Sequence, residues 1–272
     1  MRISILLPYK EDYTNDLAGA VSLFVSQISK VSKFRNNILI YGNTNSKKYL
    51  TSNYHNITFK KNIFQSSSKT YVNSFLKAKN VLISDIIEVH NRPNYIKFIK
   101  EKYDKKIFLY FHNDPLSMDG SASVNDRIYL INNIHKLFFN SYWSKERFFY
   151  DIPKNLINTT SIEICHQSSN KVKIDFNKKE KIISFIGKLN SAKGYDIFGE
   201  SIKDVLDKHK DWKAIVIGDE PREKLEFNHE RLILLGFREN RFILNILKKI
   251  SISVVCSRWE EPFGRTSLEA AS

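Results

Sequence analysis

A chain of 272 residues with 42% hydrophobic and 13% aromatic content has enough apolar mass for two packed domains, which excludes an intrinsically disordered protein. No segment approaches the roughly 18 continuous apolar residues of a membrane-spanning helix, and the run opening at Met1 is too short for a signal peptide, so neither is expected. The formal net charge of +14 admits a nucleic-acid surface, an anionic membrane surface or a plain lysine bias as its origin.

In chain order, strand-like runs at 3–7, 37–41, 57–59, 86–89, 106–111 and 136–139 alternate with helix-like stretches at 16–33, 70–79, 93–103 and 143–150. Leu17, Val21, Phe24, Val25 and Ile28 have the spacing of one buried helix face. A polar, lysine-rich stretch at 167–181 then reads as an interdomain linker. A second alternation follows: strand 182–186, helix 195–209, strand 213–217, helix 221–227, strand 232–235, helix 240–249, strand 250–256 and a final helix with Pro262 at its first position. The pattern predicts an α/β chain of two doubly wound, Rossmann-like domains, 1–168 and 169–272, facing a cleft at the carboxyl ends of their strands.

The charge is spread over every segment, as in Lys47-Lys48, Lys60-Lys61, Lys105-Lys106, Lys178-Lys179 and Lys248-Lys249, with no aromatic-basic platform. That ranks nucleic acid lowest among the partners and keeps a peripheral contact with an anionic membrane surface beside composition bias. Cys165 and Cys256 lie far apart, each in or beside an apolar run, and read as reduced thiols of a cytoplasmic protein rather than a bridge.

The candidate chemistry gathers at strand ends. After strand 250–256, Glu261, Pro262, Phe263, Gly264, Arg265, Thr266 and Glu269 form a strand-to-helix turn, whose free N–H groups and dipole suit a phosphate. The same residues also fit an ordinary helix start, with Arg265 and Glu269 as an i,i+4 surface pair. After strand 182–186, Gly187 is followed by Lys188 and Lys193, two cations able to grip a diphosphate or to sit solvated in a loop. In the first half, His90 and Arg92 in Glu88-Val-His-Asn-Arg-Pro93 and His112 in Tyr110-Phe-His-Asn-Asp-Pro115 stand at strand ends, where a histidine is either structural or catalytic.

The pattern Glu-Pro-Phe-Gly-x-x-x-Leu-Glu, preceded by Gly187-Lys188, Lys193-Gly194, Ile215-Val-Ile-Gly-Asp219 and Leu234-Leu-Gly-Phe-Arg238, resembles the Glu-x7-Glu signature of retaining GT-B glycosyltransferases of the group 1, family 4 type. The resemblance implies that Lys188 and Lys193 neutralise a leaving nucleoside diphosphate, although arginine is commoner where Lys188 stands. It implies that Gly236 and Phe237 lie near the nucleobase, that Glu269 accepts from the ribose hydroxyls and that Glu261 holds the donor sugar. Backbone near Phe263, Gly264, Arg265 and Thr266 would face sugar and diphosphate. His112 would contact the donor sugar, and Gly19 would stand for the family's paired glycines, with His90 and Arg92 nearer the acceptor.

No metal-ligand spacing is present, and the implied chemistry needs no metal or other cofactor: sugar transfer with retention to a glycan or lipid-linked acceptor, in cell-envelope polysaccharide or lipopolysaccharide assembly. The helix carrying Glu269 continues in that family into further strands and a terminal helix, so the chain is expected to be C-terminally truncated, its second domain incomplete and its activity open. A GT-B nucleotide-sugar epimerase and a non-catalytic nucleotide-sugar-binding or membrane-associated basic protein are the alternatives.

Overall fold

The computed structural model describes residues 1–60, 65–169 and 171–272. Lys61 of the Lys60-Lys61 pair and Asn170 of the expected linker lie outside the described residues. The chain divides into two compact units, Met1–Gln167 and Ser168–Ser272.

The first unit is built on a parallel sheet of seven strands: β1 Ile3–Leu6, β2 Ile38–Gly42, β3 Tyr54–Asn56, β4 Ile86–His90, β5 Lys106–Phe111, β6 Lys136–Phe139 and β7 Ile162–Ile164. Their order is β3-β2-β1-β4-β5-β6-β7, so the direction of strand addition reverses between β1 and β4. In a doubly wound sheet that reversal opens a crevice at the carboxyl ends of the two strands. Helix α1 (Ala20–Val31) packs on one face with Ile5, Leu7 and Ile40. The other face buries Val89, Leu109 and Phe139 under α2 (Ser67–Lys77), α3 (Ile96–Lys100), α4 (Val124–Asn133) and α5 (Tyr142–Phe149), followed by α6 (Lys154–Thr159). Because both faces are covered, the strands read as continuous apolar runs. Glu88 and His90 interrupt β4, and as buried polar groups they require partners.

The second unit has a four-stranded parallel sheet, β8 (Glu180–Ile186), β9 (Lys213–Ile217), β10 (Leu232–Leu234) and β11 (Ile250–Val254), in the order β10-β9-β8-β11. It carries helices α7 (Tyr195–Lys208), α8 (Asn240–Leu247) and α9 (Arg265–Ala271). Phe198, Ile202 and Leu206 bury the inner face of α7, as their spacing predicts. Among the described residues no helix is long and apolar enough to cross a membrane.

Several elements differ from the sequence reading. The first helix begins at Ala20 rather than 16, because the Thr14 hydroxyl accepts from the Leu17 N–H at 3.2 Å and Thr14 bridges Tyr49, which leaves Leu17 57% exposed and outside the buried face. The third strand lies at Tyr54–Asn56, ahead of 57–59, where Tyr54 stacks on Tyr13 at 4.8 Å. No helix forms over 221–227; Phe227 is instead held by its ring against Gly199 of α7 and edge-on to Tyr195. The final helix starts at Arg265, three residues after Pro262, because Gly264 takes a left-handed φ of 78° as its N-cap. Helix α4, unforeseen, is marked by a reciprocal Ser123–Asp126 capping box.

Candidate functional site

In the second unit the carboxyl ends of β8, β9 and β10 finish in Gly187, Gly218 and Gly236. The Gly187 N–H donates to the Ile217 carbonyl at 3.0 Å and the Gly218 N–H to the Gly236 carbonyl at 3.0 Å. A Cβ on Gly218 would lie 1.7 Å from the Gly187 carbonyl oxygen, so this edge of the sheet is floored by bare backbone.

Charged side chains gather beside that floor. The Asn190 side chain accepts from the Lys193 N–H at 3.0 Å and sets the turn, from which the Lys193 ammonium reaches the Glu261 carboxylate. Ser257 donates to the same carboxylate oxygen at 2.7 Å, and Lys193 lies 5.0 Å from the centre of the Trp259 ring. Burial pushes the Glu261 carboxyl up, but the bonds from Lys193 and Ser257 outweigh it and hold the group below the ordinary carboxylate range. Gly187, Lys193, Ser257, Glu261, Gly264 and Thr266 line one depression. Phe263 is half-buried and precedes α9.

On α9, Glu269 is buried and accepts from Arg265 Nε at 2.7 Å and from Asn240 Nδ2 at 2.8 Å. The Arg265–Glu269 pair is therefore not the solvated surface pair its spacing also allowed: its two side chains are 14% and 7% exposed. The buried Arg265 Nη1 has no hydrogen-bond partner among the described residues. Lys188, Gly236 and Phe237 are exposed and stand outside the depression. Sequence reasoning missed Glu220, at the end of β9, which Arg222 grips through Nε at 2.6 Å and Nη2 at 2.7 Å and thereby holds at about 2. A carboxylate two residues from an arginine beside a strand-end glycine was the available signal.

In the first unit, Gly19 sits at the N-cap of α1 and not inside the helix. A Cβ there would fall 2.6 Å from Glu11 Oε1, which accepts from the Ser22 N–H at 3.0 Å. The space that Gly19 leaves is thus filled by the carboxylate of Glu11. Burial pushes that carboxyl up, against the Ser22 bond and the nearby Arg92.

His90 is fully buried and both its ring nitrogens are engaged. Its Nε2 meets Glu88 Oε1 at 2.7 Å and its Nδ1 meets His112 Nε2 at 2.9 Å. Alternation along β4 puts Glu88 and His90 on one sheet face, and parallel pairing sets His90 opposite Tyr110, two residues before His112. Asn91, with φ 55°, accepts from the His112 and Asn113 N–H groups at 3.1 and 3.2 Å, and Asn140 donates to the His112 carbonyl at 2.8 Å. Arg92 is half-exposed and donates to the Asn91 carbonyl at 2.6 Å. Glu88, Asn91 and Asn140 were not singled out from sequence, although the first two stand inside the histidine motif. Among the described residues no three His, Cys, Asp or Glu side chains gather as a metal site, and both cysteines are free and half-buried.

Residues 166–272 match the model of the family Glycosyl transferases group 1. Over 214 residues the chain is 23% identical to Putative glycosyltransferase YtcC of Bacillus subtilis (strain 168), a match that covers 68% of this chain and 53% of that protein. The chain spans about half the length of the curated relatives it matches. Among solved structures it is similar to Anabaena Alr3699/HepE in complex with UDP-glucose, with TM-score 0.68 and 15% identity over 99% of this chain and 78% of that one. The apo form of the lipopolysaccharide outer core galactosyltransferase WaaB aligns with TM-score 0.60 and 15% identity over 99% of this chain and 78% of that one. The fold is accordingly that of the GT-B glycosyltransferases, and the match to the group 1 model lies over the second unit.

Proposed function

We propose that the chain binds a nucleoside-diphosphate sugar and transfers the sugar, with retention, to a glycan or lipid-linked acceptor, in cell-envelope polysaccharide or lipopolysaccharide assembly at the cytoplasmic face of the membrane. The observation that carries this reading is the depression around Lys193 and Glu261, beside a floor of glycine backbone. A flat backbone admits a close-lying diphosphate, and the Lys193 ammonium supplies the charge to neutralise it as it leaves. In the structure that ammonium is spent on Glu261. A donor would divide the pair, turning Lys193 to phosphate oxygens and releasing the Glu261 carboxylate to accept from sugar hydroxyls. Glu269, already fixed by Arg265 and Asn240, presents an acceptor to the vicinal ribose hydroxyls. In this reading the Lys193 ammonium takes the part of a divalent cation, and the reaction calls for no resident metal.

Solved neighbours in complex with UDP and with UDP-glucose support a nucleotide-sugar donor for this fold. Titration calorimetry with UDP-, GDP- and ADP-sugars, followed by a hydrolysis assay, tests the reading. One of these donors should bind and release its nucleotide slowly in water and faster with membrane extract. Binding without turnover under both conditions would sink the enzyme and leave a nucleotide-sugar-binding protein.

A further inference from the structure

Three polar side chains of the first unit form one unbroken hydrogen-bonded chain inside an otherwise apolar layer: Glu88, His90 and His112. His90 is fully buried, and Glu88 and His112 are 8% and 6% exposed. The rings are clamped from their flanks: His90 stacks on Tyr110 at 4.6 Å, and Phe24 of α1 meets His112 edge-on at 5.1 Å. The His112 backbone is held on one side by Asn91 and on the other by Asn140. Three buried polar groups on neighbouring strands carry a desolvation cost that an apolar trio would not, so the arrangement calls for a function beyond packing.

The protons in this chain follow from its ends. A carboxylate oxygen only accepts, so His90 Nε2 must donate to Glu88. In a neutral His90 the other nitrogen, Nδ1, then carries no proton and must accept from His112 Nε2. A neutral His112 with its proton on Nε2 has none on Nδ1. We infer that Glu88, acting through His90, is the positioning residue that fixes His112 in the Nε2–H tautomer, so that its Nδ1 is a hydrogen-bond acceptor and not a donor. The catalytic half of this inference, that turnover requires the Nε2–H form of His112, rests on the nucleotide-sugar reading above; the tautomer itself does not. Such indirect control through a neighbouring group is how a histidine's active nitrogen is ordinarily selected.

The test reads the two halves separately. Nitrogen-15 spectra of protein labelled at its seven histidines, with the His112 signals assigned by difference from His112→Gln, report which ring nitrogen is protonated without any donor present. Wild type should show a single Nε2–H form of His112. Glu88→Gln, whose amide can donate or accept, and His90→Phe, which keeps the ring but removes both nitrogens, should each give mixed or Nδ1–H forms. A His112 that keeps the Nε2–H form alone in whichever of the two variants folds would overturn the inference. In parallel, Glu88→Gln should lower turnover about tenfold to a hundredfold with the donor dissociation constant changed less than about threefold. A tautomer shift without loss of turnover would retain the positioning role and remove His112 from the sugar-transfer reading.

Discussion

At the carboxyl edge of the first sheet, Glu88, His90 and His112 are buried and bonded to one another across strands, whereas the matching edge of the second sheet is glycine backbone with its charges on the loops beside it. In the second unit's depression Lys193 and Glu261 are each about a quarter exposed, and Lys193 has a lysine's freedom to turn away. The comparison teaches that one chain can prepare polar chemistry in two ways. In one, geometry is fixed in advance by packing; in the other, the backbone space is fixed and the charges beside it stay partly exposed.

The sharpest way to break the contrast is to fill the floor. Gly218→Ala would set a methyl group against the Gly187 carbonyl at a φ of 144°, and should destabilise the second unit by about 2–5 kcal/mol, read as a lower urea midpoint. An unchanged midpoint would show that the floor gives way easily. Next in size, Lys193→Ala should lower turnover on the order of a hundredfold, with a smaller change in donor affinity, if its charge acts on the leaving group. Equal losses in both would make it a plain binding residue. Glu269→Ala should weaken nucleotide binding by about 1.5–3 kcal/mol by calorimetry, since bonds to a charged group are lost. Full affinity in that variant would confine Glu269 to holding Arg265.

The smallest effect contrasts two carboxylates in their response to pH. Glu11 is raised above its ordinary value of 4.5, so its share of stability is complete below that value and is lost as pH rises through the raised one. Glu261 is lowered, so its share is present above 4.5 and is lost as pH falls. Glu11→Gln should therefore flatten the stability profile on the rising-pH side, and Glu261→Gln on the acid side. Urea midpoints across the pH range check both, and identical profiles for the two variants would cancel the contrast.

The second unit was the more legible of the two in sequence. Gly187, Lys193, Glu261, Gly264 and Thr266 come from separate turns, yet each turn is local and its glycine marks it, so strand ends offered the candidates and the family resemblance joined them into the group that lines one depression. The Glu88–His90–His112 chain was not legible as a chain. Its members are visible as motifs, but only the β4–β5 register brings His112 Nε2 to His90, and register is a tertiary fact. The missing helix at 221–227 has the same origin: Phe227 is drawn to Gly199 of α7, a partner that local propensity does not register. The place of Gly19 at the helix start was not legible because the residue it makes room for, Glu11, lies eight positions earlier in a loop.

The crowding of Gly218 against Gly187 also bears on how this protein can change over generations. Every codon change that replaces Gly218 adds at least one carbon where 1.7 Å of room exists, so drift at that point is closed. Under the proposed function, altered preference for one nucleotide or another would arise at neighbours with slack, such as the exposed Lys188 and Phe237. A directed-evolution library concentrated on those positions would keep the floor intact, while one aimed at Gly218 would mostly sample destabilised chains.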